Sequence, residues 1–208
     1  MERFLFLIFA LKKAEYMKLC FATNNTHKIE EVREMLGDNF DLLSLQDIGC
    51  KTELPENQDT LEGNSLEKAQ YVWEQYQINC FADDTGLEVE ALQGEPGVYS
   101  ARYAGPQRNS EDNISLLLHK LQSKTNRTAR FRTSITLILQ GNIHQFEGIV
   151  QGKITESRLG DKGFGYDPVF MPDGYNRTFA QMNIAEKNSI DHRGKAVQAM
   201  VDFLKSLK

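Results

Sequence analysis

Apolar positions in this chain alternate over some stretches and recur every three or four residues over others, and the switches between the two periods mark out its elements. Residues 17–23 read as a strand, followed by the polar loop Thr23-Asn24-Asn25-Thr26-His27-Lys28. Ile29, Val32, Met35 and Leu36 then share one helical face until Gly37 ends the run. Residues 40–45 predict a second strand, 54–59 an acidic loop, and 61–77 a helix burying Leu66, Ala69, Trp73 and Tyr76. Ile78, Cys80 and Phe81 predict a short buried strand ended by a turn at Thr85-Gly86. Leu87, Val89 and Ala91 alternate with Glu88 and Glu90 as a half-exposed strand before the turn Gly94-Glu95-Pro96-Gly97.

Beyond this point the chain changes style. Ser110 is placed to cap a helix through Leu121, and Phe131, Thr133, Ile135, Leu137 and Leu139 then alternate with mostly polar neighbours. Gly141-Asn142 reads as a hairpin turn into a partner strand over 143–150. A glycine-rich loop spans 160–165, and Ile190, Val197, Met200, Val201 and Leu204 give a final amphipathic helix. Strand–loop–helix units followed by a long antiparallel hairpin predict an α/β fold with a mixed sheet. There are no internal repeats.

The start of the chain stands apart. Phe4 to Leu11 is an apolar run between Arg3 and Lys12-Lys13, too short to span a bilayer and without a small-residue cleavage site. Residues 1–16 are therefore expected to form an extension outside a single domain over 17–208, lying upstream of the natural start, with a membrane anchor as the alternative.

Composition narrows the function. The chain has 208 residues, is 40% hydrophobic and 25% charged, and carries a net charge of −5. With no run of Lys or Arg, this argues against a nucleic-acid surface and for a small ligand. Three widely spaced cysteines make neither a disulfide framework nor a C-x-x-C metal site, so a reducing, cytoplasmic compartment is expected, with Cys20, Cys50 and Cys80 as packing residues. His27, His119 and His144 have no ligand spacing and read as surface residues.

The adjacent carboxylates Asp83 and Asp84 are what folding alone does not require. At a strand end, where open α/β sheets place ligands, two such charges raise each other's pKa unless a cation neutralises them. An Asp-Asp step by itself is also compatible with a solvated turn. The surrounding polar segments complete a chemistry. Glu56, Asp83 and Asp84 offer oxygen ligands for Mg²⁺, which leans on substrate phosphates for the rest of its shell. Lys28, Lys68 and Arg193 can meet those phosphates, and the amides of 23–26 at a helix start add an anion cradle.

Together and in this order the segments resemble the inosine triphosphate pyrophosphatase family, the Ham1-like purine NTP pyrophosphatases, from Lys18 to the C-terminus. The resemblance is carried by Thr23-Asn24-Asn25 with Lys28, by 60–68 with Asn64, and by Ala82-Asp83-Asp84-Thr85-Gly86-Leu87. It continues through 96–103, Gly163-Phe164-Gly165-Tyr166-Asp167-Pro168, Glu186-Lys187 and His192-Arg193-Gly194. It implies an elongated mixed sheet with flanking helices, two lobes around a central cleft, a homodimer, and Mg²⁺-dependent hydrolysis of ITP, dITP and XTP to monophosphate and pyrophosphate. A pyrophosphatase for other modified nucleotides and a non-catalytic nucleotide sensor are the alternatives.

Carried over by position, the resemblance implies that Thr23, Asn24, Asn25, Thr26, His27, Lys28 and Lys68 hold the triphosphate. Glu56 and Asp84 then serve the metal, with Asp84 also the proton acceptor. Thr85, Phe164, Gly165, Tyr166, Asp167, Lys187, His192 and Arg193 contact the nucleoside. Hypoxanthine and xanthine present an acceptor at O6 and a donor at N1, which suits donation by His192 and Arg193, acceptance by Asp167 and stacking on Phe164. Two positions depart from the family: Asn24, where Gly is common, and Asp191, where Ser is common. A carboxylate beside His192 is expected to raise that histidine's pKa.

Overall fold

The structure, a computed structural model, describes residues 17–36 and 40–207. The extension expected over 1–16 and the helix stop expected at Gly37 lie outside the described residues. The strands are β1 (Met17–Phe21), β2 (Phe40–Leu43), β3 (Cys80–Val89), β4 (Pro96–Gly97), β5 (Thr128–Leu139), β6 (Asn142–Ile154) and β7 (Phe170–Pro172). The helices are α1 (Thr26–Leu36), α2 (Leu61–Tyr76), α3 (Ser110–Lys120), α4 (Ile184–Ile190) and α5 (His192–Ser206).

All seven strands join one mixed sheet in the order β2-β1-β3-β5-β6-β7, with β4 paired to β3. β1 runs parallel to β2 and β3, as the crossovers through α1 and α2 demand. From β3 onwards the pairing is antiparallel. The expected mixed α/β sheet is therefore present. Leu19, Phe21, Phe81, Ile135 and Leu137 pack one face against α1 and α5, while Cys20, Ala22, Cys80, Ala82 and Ile138 pack the other against α2. A further cluster, with Leu87, Ile114, Leu117, Phe131, Phe170 and Phe179, fills the other half of the sheet beneath α3.

Several boundaries differ from the sequence expectation. The strand expected to stop at a Thr85-Gly86 turn continues to Val89, because Thr85 and Gly86 pair in register with Thr133 and Arg132. Gly86 serves close approach instead of a turn: a Cβ there would lie 2.8 Å from the Gly97 carbonyl oxygen of β4. The separate strand expected from Leu87 is the end of β3, and Ala91 belongs to the single helical turn after it. The hairpin turn falls one residue early, at Gln140-Gly141, since both have positive φ (51° and 83°) and Leu139 already pairs with Asn142.

Helix caps explain the rest. Asn109, not Ser110, caps α3, its side chain accepting from the Asp112 amide at 3.0 Å. The final helix is two: Asp191 ends α4 and caps α5, so Ile190 belongs to the shorter piece. On α2 the buried face is Leu61, Asn64, Ser65, Lys68, Ala69 and Val72, with Leu66, Trp73 and Tyr76 only half-buried. Two polar side chains on that face, Asn64 and Lys68, reach Asp84 of β3.

Candidate active site

Strand geometry sends neighbouring side chains to opposite faces, and this separates the two aspartates. Asp83 lies on the face packed by α1 and α5. Lys28 Nζ donates to its Oδ1 at 2.9 Å, and Arg193 Nε to its Oδ2 at 3.3 Å. Burial alone would push its carboxyl up, but Lys28, Arg193 and Lys68 outweigh burial and hold it well below the usual range. Asp84 points to the α2 face. Asn64 Nδ2 donates to its Oδ2 at 2.9 Å, the Thr85 amide donates to its Oδ1 at 3.0 Å, and Lys68 Nζ stands 3.9 Å from Oδ1. Here burial wins over Lys68, Lys28 and Asn64, and the pKa is raised. The two carboxylates therefore point to opposite faces of β3 and do not form one ligand pair.

A cavity of about 660 Å³ opens beside Asp84. Thr23, Asn24, Asn25, Lys28, Glu56, Lys68, Thr85, Phe164, Gly165, Tyr166, Asp167, Lys187, His192 and Arg193 all line it, so most of the expected site residues converge. Thr26, His27 and Asp83 are not on its wall. His27 is exposed and stacks on Phe164, with ring centroids 5.3 Å apart. In a chain of net charge −5, seven Lys and Arg side chains line this cavity against four carboxylates. An anionic ligand of nucleotide size is the complement of such a wall.

The inner cations are held by a buried lattice. Lys68 Nζ donates to Glu56 Oε1 and to the Asp83 carbonyl, both at 2.7 Å. Lys187 Nζ donates to Asp167 Oδ2 and Glu31 Oε1, both at 2.8 Å, and Arg193 donates to the other oxygen of Glu31. Burial works against charge on Glu31, but Arg193 and Lys187 outweigh it and keep the carboxyl ionised below its ordinary pKa. The Phe164 amide donates to Asp167 Oδ2 at 2.9 Å. Gly163 permits this loop, with φ of 74° and a Cβ position only 2.1 Å from Asp167 Oδ2. The Tyr166 hydroxyl is committed to the Ser100 carbonyl at 2.9 Å, so that residue shapes the wall without offering its hydroxyl.

His192 contradicts the expectation of a raised pKa. Its ring is buried, stacked on Phe131 at 4.6 Å, and its pKa is pushed well below 6.5 by burial first, then by Arg193 and Lys187. Asp191 does not reach it as a counter-charge: its Oδ1 accepts from the Gly194 amide at 2.6 Å as the cap of α5.

Glu31, Asn64 and the arginines at the cavity mouth had no assigned role in the sequence reading. Glu31 sits one helical turn after Lys28 and so shares its face, which is the signal that was available. Arg102 and Arg108 come from the segment between β4 and α3, far in sequence from the other cations, and only the fold brings them to the wall.

Two carboxylates, Glu56 and Asp84, flank Lys68 at the cavity, and among the described residues no cluster of three or more His, Cys, Asp or Glu could hold a metal alone. That donor set fits Mg²⁺, which is bound through one or two carboxylates and completed by substrate phosphates. Asp83 does not fit it, being occupied on the other face.

A model of the Ham1 family matches residues 19–203. The chain belongs to the Ham1 family. A dITP/XTP pyrophosphatase of Flavobacterium johnsoniae is 53% identical over 192 residues, covering 92% of this chain and 100% of that protein. Another, from Porphyromonas gingivalis, is 50% identical over 90% of this chain and 97% of its own length. Among solved structures, the Staphylococcus aureus Ham1 protein superposes with a TM-score of 0.84 at 34% identity, covering 92% of this chain and 100% of that one. A Ham1 protein from Coxiella burnetii gives 0.85 at 30% identity over 91% and 99%. The Ham1 fold accounts for the mixed sheet, and the motif segments noted in the sequence, from Thr23 to Gly194, all fall inside the matched range.

Proposed function

We propose that this protein hydrolyses dITP, ITP and XTP to the corresponding monophosphate and pyrophosphate, removing non-canonical purines from the nucleotide pool. The observation that carries the reading is the cationic cavity with Asp84, a carboxylate of raised pKa, on its wall. The pyrophosphatase names of the 50–53% identical relatives support it.

In the reaction, a water oxygen forms a bond to the α-phosphorus while the bond from that phosphorus to the α,β-bridging oxygen breaks, releasing pyrophosphate. Asp84 takes the proton of the attacking water, and its raised pKa brings it nearer to the range where a general base works best. Lys28 and Lys68 hold phosphate oxygens. Mg²⁺, held by Glu56 and Asp84, would neutralise charge developing on the leaving group. Asp83 serves to fix Lys28 and Arg193. At the nucleoside end, Lys187, Arg193 and neutral His192 present donors, and Asp167 presents an acceptor. Adenine reverses that pattern and leaves buried groups unpaired. The working form is a cytoplasmic homodimer acting on free nucleotides and not on nucleic acid or at a membrane. Among the described residues no helix is long and apolar enough to cross a bilayer.

The test is product analysis with ITP, dITP, XTP, GTP, ATP and UTP in Mg²⁺, alongside Asp84→Asn. Pyrophosphate from the first three alone, lost in the variant while nucleotide binding persists, is the expected result. Nucleotide binding without any pyrophosphate release would make the protein a sensor.

A further inference from the structure

We propose that Arg102 and Arg108 form the seat of the departing pyrophosphate, at the outer end of the phosphate track. This rests on the pyrophosphatase reading above and adds a subsite to it.

The inner cations are already compensated. Lys28 is paired with Asp83 at 2.9 Å, and Lys68 is paired with Glu56 at 2.7 Å with Asp84 nearby. A triphosphate brings a charge on each phosphate and a second on the terminal one, so it needs cations whose present partners let go easily. Arg102 Nη1 is 3.7 Å from Glu56 Oε2, too long for a hydrogen bond. Arg108 Nη2 is 4.0 Å from the same oxygen and 3.1 Å from Glu53 Oε1. The Glu53 side chain is 76% exposed, so that pair is screened and contributes little. Both arginines line the cavity; Arg102 also lies over the exposed Tyr99 ring, 5.3 Å from its centroid, and neither is tied to a buried carboxylate by a hydrogen bond.

Their position follows from the run of contacts. From the sheet outward it passes Asp84, Lys68, Glu56, then Arg102 and Arg108. The nucleoside-end residues Lys187 and Arg193 belong to the other run, through Glu31 to Asp83. With the α-phosphorus near Asp84 and the base near Lys187, the β- and γ-phosphates extend past Glu56 toward the two arginines.

Arg102 also stands on a fixed platform. The Leu87 amide donates to Ser100 Oγ at 2.9 Å, and that hydroxyl donates to the Gly97 carbonyl at 2.6 Å. Asn113 of α3 donates to the Ala101 carbonyl at 3.0 Å and accepts from the Ala104 amide at 2.7 Å, so the backbone is tied on both sides of Arg102. Arg108 holds φ of 53°, a conformation uncommon for a residue with a side chain and frequent at ligand clamps. A guanidinium held this way can meet a phosphate through two parallel hydrogen bonds.

The experiment is calorimetric titration of the wild type, Arg102→Ala, Arg108→Ala and the double variant with pyrophosphate and, separately, with IMP, each with and without Mg²⁺. Thermal melts check the fold. Pyrophosphate Kd should rise at least about tenfold in the double variant while IMP Kd stays within about twofold. Arg108→Ala, a change at a half-exposed side chain, should show part of the effect even where the Arg102 variant is poorly folded. Unchanged pyrophosphate affinity, an equal loss for both ligands, or no pyrophosphate binding by the wild type would overturn the proposal. Arginine-dependent pyrophosphate binding in a protein that releases none from ITP would leave this subsite standing and remove the pyrophosphatase reading instead.

Discussion

Glu31 Oε1 accepts from Lys187 Nζ at 2.8 Å across 156 residues of sequence, and the other Glu31 oxygen accepts from Arg193. One carboxylate on α1 therefore holds two cations of the proposed nucleoside end, on α4 and α5, and ties them to the helix that carries Lys28. Glu31→Gln would remove the charge the two cations share and leave Lys187 with Asp167 and Arg193 with Asp83 alone, and breaking a buried ion pair from one side costs about 3–5 kcal/mol. Urea unfolding should show a loss of that order. In the fraction that remains folded, KM for ITP should rise more than kcat falls, because the residue positions the nucleoside end and not the attacking water.

If Asp84 is the general base proposed above, Asn64 is predicted to set the acid limb of the rate profile. Its amide donates to Asp84 Oδ2 at 2.9 Å and favours the ionised form, against burial, which raises the pKa. A general base must be deprotonated, so kcat/KM falls as pH drops through the Asp84 pKa. Asn64→Ala removes a stabilising donor and should move that limb to higher pH, leaving the plateau above the limb less affected than the rate on it. A pH profile of kcat/KM for ITP over pH 5–9 checks it. A limb that stays in place would detach Asp84 from the proton transfer.

How much of this site could be read from residues alone depended on whether each signal was local. The loop at 23–28, the glycine-rich turn before Asp167 and the carboxylate at Asp84 carry their chemistry within a few residues, and the structure brings them to one cavity. Asp83 was misread because the turn residues Thr85 and Gly86 resemble a strand end, while their real role is set by the crossing of β4 at Gly86. Once β3 continues, side-chain alternation places the two aspartates on opposite faces, and the argument for one cation shared by both falls. Lys68 and Asn64 were singled out by the 60–68 segment, but helix spacing hid the fact that they lie on the buried face. An apolar-face count favours Leu66 and Trp73, whereas the polar side chains are buried because the sheet offers them carboxylates. Arg102 lies in the 96–103 segment without a role that its neighbours reveal, and Arg108 has no local signal at all.

Gly148 on β6 is predicted to be irreplaceable at the nucleoside end. A Cβ there would lie 1.9 Å from the His192 carbonyl oxygen and 2.6 Å from the Ala196 amide nitrogen, both backbone atoms of α5. Since neither can swing aside as a side chain would, Gly148→Ala must push the start of α5 off the sheet. That displaces His192 and Arg193 together. The expected outcome is a lower melting temperature and a reduced ratio of ITP to ATP turnover, read by thermal melts and competition kinetics. Gly174→Ala is the control, because its Cβ position meets nothing within 4 Å and it does not line the cavity, although its φ of 82° adds backbone strain.

Asp191 gives the protein an unusual dependence of stability on pH. It is fully buried, its Oδ2 has no hydrogen-bond partner, and burial raises its pKa from 3.8 to about 6. For an acid whose folded pKa is raised, the folded state binds the proton more tightly than the unfolded one. Its favourable contribution is therefore complete below about pH 4 and is lost as pH rises through about 6. The difference corresponds to something on the order of 3 kcal/mol. Asp191→Ser keeps a capping oxygen for the Gly194 amide and removes the titrating group. Unfolding free energies measured at pH 4.5 and pH 8 should show the variant gaining on the wild type at the higher pH. If the two proteins kept the same difference at both, the buried carboxylate would have to be ionised or protonated in both states alike, and its burial would carry no linkage to folding.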